Sequence, residues 1–232
     1  MAALAQAHVQ QGSSSTGSSI AAAFGSNVAA GHYIVVRARW SQHTTGSPPS
    51  ITISDSLGNA YTAGPIATIT STGGSDSTTG LWFAKIASAG ACTVTASGPN
   101  IQRRDIDIFE VSGLAATSPL DGSNNASGTS TAPSSGSITT TAAGFVIGAI
   151  QSSYGYGSYT QPGSPWTAAS LAAIWDYGTV AYQCTSGAGT YTATASIDSS
   201  RAWVGCVLAL KDAAGGGGGG HLRKIQRQLR GA

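Results

Sequence analysis

Charge is what this sequence has least of: Asp, Glu, Lys and Arg together make up 9% of 232 residues. Aromatic residues reach only 7%, there is one methionine, and no uninterrupted apolar run approaches the roughly 18–20 residues of a membrane span. Three cysteines, Cys92, Cys184 and Cys206, form no closed disulfide framework, because the count is odd. Cys206 lies in the apolar run 203–208 and reads as a small core residue. A bridge from Cys184 to Cys92 or to Cys206 is the alternative. Helical periodicity is nearly missing from the body, where 115–119 and 168–172 have room for one helical turn each. The scarcity of ionisable side chains leaves little to do chemistry with, so a structural or binding role is favoured over an enzyme.

What is present is Gly, Ser, Thr and Ala around short apolar stretches, with hydrophobic residues at 41%. That is too apolar for disorder and reads as short strands joined by small-residue turns. Strands are expected at 4–9, 20–24, 33–40, 50–53, 81–86, 92–96, 105–111, 137–141, 145–151, 171–175, 179–184, 191–195 and 202–210. Turn signals fall at 46–49, 73–76 and 122–125. The predicted fold is all-β: a two-sheet antiparallel β-sandwich of jelly-roll type over residues 1–213. Its expected core includes Ile34, Val36, Ile106, Ile108, Val146, Ala149, Val204, Val207 and Leu208. The start, Met1-Ala-Ala-Leu-Ala-Gln-Ala7, has an A-x-A pattern but no charged n-region, and is read as the first strand rather than a signal peptide.

The stretch Ile51-Thr-Ile-Ser-Asp55 alternates, and Ser56-Leu-Gly-Asn59 supplies turn residues before Ala60-Tyr-Thr62, which predicts a hairpin around Asp55. A calcium reading of Asp55 and Asn59 has only one carboxylate to support it, so no metal is assigned. The strand Asp105-Ile-Asp-Ile-Phe-Glu110 is the sharpest enzymatic temptation. It resembles the paired-carboxylate strand of laminarinase-like glycosidases, in which one carboxylate is nucleophile and another general acid. Plain alternation, however, puts Asp105 and Asp107 on one face and Glu110 on the other. The preferred reading buries Ile106 and Ile108 and leaves Asp105 and Asp107 outside near Arg103 and Arg104. No catalytic residue is assigned, and no cofactor is expected.

The string Ile53-Ser-Asp-Ser-Leu-Gly-Asn-Ala-Tyr61 resembles a hairpin motif of a family of uncharacterised β-sandwich domains. That family occurs in bacterial extracellular proteins and in phage virion or tail-fibre-like proteins. Leu81-Trp-Phe-Ala-Lys85, Phe109-Glu-Val-Ser-Gly113 with Ser118-Pro-Leu-Asp121, and the stretches 136–141, 145–148 and 203–211 resemble its other motifs. The resemblance implies a jelly-roll or lectin-like sandwich and assigns no chemistry.

Two segments stand apart. Tyr154, Tyr156, Tyr159 and Trp166 lie on a Gly/Pro-rich stretch suited to glycan or subunit contact. After a polyglycine linker (214–220), segment 221–232 carries Leu222, Ile225 and Leu229 at helical spacing among Arg223, Lys224, Arg227 and Arg230. The chain nets +2, so these four charges leave the body at −2. A short basic helix docking on a partner subunit explains the stripe and the charges together. Nucleic acid is a poor partner for so few charges. The expectation is therefore a non-enzymatic, homo-oligomeric structural protein of a virion, such as a capsid decoration or tail-fibre component. The alternative is an extracellular carbohydrate-binding or adhesin module recognising surface glycans.

Overall fold

The structure is a computed structural model and describes residues 1–43, 49–70, 76–153, 159–160, 163–171 and 178–213. The first half contains β1 (Ala3–Leu4), β2 (Val9–Ser13), β3 (Gly17–Ala23), β4 (Tyr33–His43), β5 (Thr52–Asp55), β6 (Thr62–Ile69), β7 (Asp76–Lys85), β8 (Thr93–Ile101) and β9 (Arg103–Ser112). The second contains β10 (Leu120–Ser130), β11 (Ile138–Thr139), β12 (Gly144–Ser152), β13 (Tyr159–Thr160), β14 (Thr167–Leu171), β15 (Gly178–Thr185), β16 (Thr190–Tyr191), β17 (Ser196–Ile197) and β18 (Arg201–Lys211). The protein is all-β, with antiparallel pairing throughout these strands and no helix among the described residues. Neither 115–119 nor 168–171 forms a helical turn, and the latter lies in β14.

The number of layers exceeds the two sheets expected. A six-stranded sheet, β1-β9-β4-β7-β6 with β2 also on β9, is buried on both faces. One face packs on the small sheet β3-β8-β5 through Ile34, Val36, Trp40, Val94, Ile106 and Ile108. The other packs on the five-stranded sheet β10-β18-β12-β15-β14 through Val35, Phe83, Phe109, Phe145, Ile147 and Leu208. The outer face of the five-stranded sheet is covered by the ribbons β11–β16 and β13–β17, where Ile138 meets Val146, Val207 and Ala209. Burial on both faces explains why Tyr-Ile-Val-Val in β4 and Phe-Val-Ile in β12 are continuous apolar runs rather than alternations. All nine expected core residues are buried, divided among these layers.

The two halves repeat one strand order. Counting from β2 and from β10, each large sheet runs first, last, third, sixth, fifth, and each cover pairs the second and fourth strands with strands late in that half. Register repeats too: Tyr33 opposite Val111 and Val35 opposite Phe109 match Phe145 opposite Leu210 and Ile147 opposite Leu208.

The hairpin expected around Asp55 does not form. β5 pairs with β8 while β6 pairs with β7, so the turn carries the chain from one sheet to another. Its local chemistry is as expected: Asp55 Oδ1 accepts from the Leu57 and Asn59 N–H groups at 2.8 and 3.2 Å, and Gly58 has φ +74°. Segment 122–125, expected to be a turn, lies inside the eleven-residue strand β10. Its small polar residues bury little, and pairing with β18 overrides their weak strand preference. The expected first strand, 4–9, is split between β1 and β2. The three cysteines are free thiols, with Cys206 in the core as expected and Cys184 exposed. Positions 172–175 of the strand expected at 171–175, the linker and the basic tail lie outside the described residues.

Candidate functional site

The few charged side chains are drawn inward. Of fifteen described Asp, Glu, Lys and Arg residues, seven are buried and only Lys85 and Asp198 are exposed rather than partly covered. On β4 and β9 the positions facing the five-stranded sheet read Arg37, Arg39, Asp107 and Asp105, each 2% exposed or less. Arg37 Nη1 lies 3.0 Å from Asp107 Oδ2 and also pairs with Asp105, whose other oxygen pairs with Arg39. Beside them Gln151 donates to Ser41 Oγ at 3.1 Å, and the Cys206 S–H points at the Thr79 carbonyl at 3.8 Å. Burial pushes the Cys206 thiol up to about 12, against the pull of nearby Arg37.

Asp105 and Asp107 are therefore not outside, and they pair with Arg37 and Arg39 of β4. Sequence reading missed this because the side chains that cover this face come from β12, β15 and β18, more than thirty positions downstream. Arg104 points to the opposite face, where it donates to the carbonyls of Gly17, Ser19 and Ile101.

Glu110 lies on that opposite face, as alternation requires. It accepts from the Ala29 N–H at 2.9 Å and the Gln6 amide at 2.5 Å, and lies 2.7 Å from His32 Nδ1. Gln6 in turn accepts from the Ser26 N–H and hydroxyl, so Glu110 ties the N-terminal segment and the 26–32 loop to β9. Burial alone would raise its carboxyl, but these hydrogen bonds and the His32 interaction outweigh it and hold it below the ordinary range. A depressed carboxylate stabilises the fold above its unfolded value and loses that contribution as pH falls through its folded value. Urea midpoints of wild type and Glu110→Gln should thus differ most at neutral pH and converge below about pH 4. An equal gap at every pH would remove the ionised contact.

With the three carboxylates divided between two buried faces, strand 105–110 offers no shared open surface to a glycan. Asp55 is likewise saturated by protein donors, since Oδ2 accepts from the Asn59 amide and Tyr61 hydroxyl at 2.9 Å each. Burial and Asp55 push the Tyr61 phenol up, and Asn59 Oδ1 passes the chain of bonds on to the Ala87 N–H. Among the described residues no three His, Cys, Asp or Glu side chains cluster as a metal site would.

Of the aromatic contact segment, Tyr154 and Tyr156 lie outside the described residues, and Tyr159 is placed by its backbone, paired with Ile197. Trp166 is half-buried against the outer-face cluster of the five-stranded sheet. The docking residues Leu222, Arg223, Lys224, Ile225, Arg227, Leu229 and Arg230 also lie outside the described residues.

Two of the open surface grooves lie wholly among the described residues. One, of about 240 Å³, lies where the edges of the two large sheets meet and presents Thr68, Thr70, Ser127 and Thr129. The other, of about 750 Å³, runs past Gly31, Asn59, Ala60, Lys85 and Ala87. The strands that bound the first groove, β6 beyond Thr62 and β10, were both missed in the sequence, and the run of small polar residues between Pro119 and Pro133 was the only signal of β10. Comparison of the chain with protein-family models, with curated proteins and with solved structures returns no match.

Proposed function

We propose that this chain is a non-enzymatic structural subunit of a multisubunit assembly, a virion component of the capsid-decoration or tail-fibre kind. The observation that carries the reading is the placement of charge: seven of the fifteen described charged side chains are buried and only two are exposed, which leaves a hydroxyl-rich surface. Such a surface packs against neighbours with few ions to strip of water. The repeated strand order supports reading each half as a jelly roll, with first beside last in the large sheet. That architecture recurs in capsid and lectin domains, so it supports the reading by analogy of fold alone. In this reading segment 221–232 is a short helix that buries Leu222, Ile225 and Leu229 against a partner subunit.

The test is co-sedimentation of the full chain with virion particles from its source. Wild type should pellet with the particles. Deletion of residues 215–232 should leave the β-rich circular dichroism unchanged, since no described strand is lost, and reduce pelleting at least tenfold. Leu222→Asp with Leu229→Asp should do the same. A truncated chain that assembles like the full one overturns the docking role, and a full chain that never associates overturns the reading. The hydroxyl-lined groove supports the second reading, an extracellular carbohydrate-binding or adhesin module; glycan-array signal without particle association would select it.

A further inference from the structure

Every sheet has edges, and natural monomers guard them with short strands, prolines, bulges or charge. The edges here follow that rule with one exception. β6 carries Pro65 and a register shift between Ala63 and Ile66. β14 has five residues and a shift between Ala168 and Ser170. The edge beside β9 is broken into β1 and β2, β3 is shifted between Gly17 and Ser19, and β5 has four residues. β10 is different. Its register shift, between Leu120 and Gly122, and its one charge, Asp121, sit at its start; from Gly122 to Ser130 it runs in unbroken register with β18, with no proline and no charged residue.

The direction of its backbone groups follows from β18. Lys211 N–H donates to Pro119, on the β10 side, while Asp212 N–H donates to Ala143, on the β12 side. Alternation then turns Gly122, Asn124, Ala126, Gly128 and Ser130 toward β18. Ser123, Asn125, Ser127 and Thr129 point their N–H and C=O groups outward, and all four are exposed. The Asn124 side chain bends back to accept the Asn125 N–H at 2.8 Å, a local stand-in for a strand. No strand of the described residues pairs with this side of β10.

We infer that β10 is a self-pairing edge: two copies of this chain join antiparallel through Ser123–Thr129, giving one continuous sheet across a two-fold axis. This rests on the structural-subunit reading and names one of its interfaces. A second copy fits for two reasons. The register that engages all four outward residues is centred on Ala126, setting Ser123 opposite Thr129 and Asn125 opposite Ser127 of the second copy, with about eight backbone hydrogen bonds. The side chains that meet across the axis are then two alanines, and no charge opposes its like anywhere along the strand.

Sedimentation velocity of the full chain tests it. Wild type should dimerise. Ser127→Pro removes only an outward N–H, which an edge strand tolerates, and should weaken dimerisation at least tenfold without altering the circular dichroism. Asn125→Lys with Ser127→Lys should dissociate the dimer, because each new ammonium faces another. Asn125→Asp with Ser127→Lys should restore it, because each new carboxylate then faces an ammonium across the axis. A wild type that stays monomeric, a Ser127→Pro dimer as tight as wild type, or a charge swap that fails to rescue would each overturn the pairing. The structural-subunit reading survives any of these if the chain still pellets with particles, and falls only if it joins no assembly.

Discussion

Removing Arg37 alone, as Arg37→Met, is expected to lower the unfolding free energy by about 3–5 kcal/mol, among the largest effects of any single substitution in this chain. The guanidinium is 1% exposed and shared between Asp105 and Asp107, so its loss takes a shared positive charge away from two carboxylates buried between apolar sheets. Arg39 also pairs with Asp105. Replacing all four together is a different experiment. With Arg37→Met, Arg39→Met, Asp105→Leu and Asp107→Leu all four charges of the cluster go together, and stability should return to wild type or exceed it by about 1–4 kcal/mol. The fold itself supplies the precedent. At the matching positions of the second half, Ala149 faces Cys206 and Gln151 faces Val204, and those pairs pack in the same inter-sheet layer without an ion pair. Urea unfolding followed by tryptophan fluorescence reads both variants. A single substitution that costs under about 1 kcal/mol would mean that water reaches the cluster, and a fourfold variant as unstable as the single would mean that packing volume rather than charge is at stake.

This cluster also marks how far the sequence can be read. Strand type was legible wherever apolar residues run on: 33–40, 105–111, 145–151 and 202–210 correspond to β4, β9, β12 and β18, and the expected core is buried throughout. The faces of β9 were legible too, because period-two alternation needs no partner to be known. Whether a face meets solvent is a property of the partner. Asp105 and Asp107 look like surface residues until a sheet from the second half covers them. The same holds for β10, whose Gly, Ser and Asn residues have turn chemistry and become a strand through the backbone of β18. Asp55 shows the converse: its turn is fixed by its own side chain and was legible, while the pairing of the strands that it joins was not. The repeated halves share strand order and register but little residue pattern, so no internal repeat shows in the letters.

The outer cover of the five-stranded sheet should fail when two glycines are filled. Segment 131–135 and segment 193–197 form an antiparallel ribbon, held by Ser135 N–H on the Ala193 carbonyl at 2.9 Å and Ala195 N–H on the Pro133 carbonyl at 3.1 Å. The ribbon lies close enough to β12 and β18 that no side chain fits beneath it. A Cβ on Gly148 would stand 2.2 Å from the Ala193 Cβ, and one on Gly205 would stand 2.5 Å from the Ser134 carbonyl oxygen and 2.7 Å from the Ser135 Cα. Backbone cannot swing aside as the end of a long side chain can, so relief requires lifting the ribbon. Each of Gly148→Ala and Gly205→Ala should therefore cost about 2–3 kcal/mol, toward the upper end for an overpacked site. Together they should cost less than the sum, because the ribbon lifts only once. Gly163→Ala is the control: nothing lies within 4 Å of its Cβ, and it should stay within about 0.5 kcal/mol of wild type. Hydrogen exchange locates the damage. The Ser135 and Ala193 amides should lose protection in both filled variants, while the Val35 and Ile108 amides of the six-stranded sheet keep theirs. Wild-type urea midpoints with unchanged exchange at Ser135 would show that the ribbon does not lie against these glycines at all.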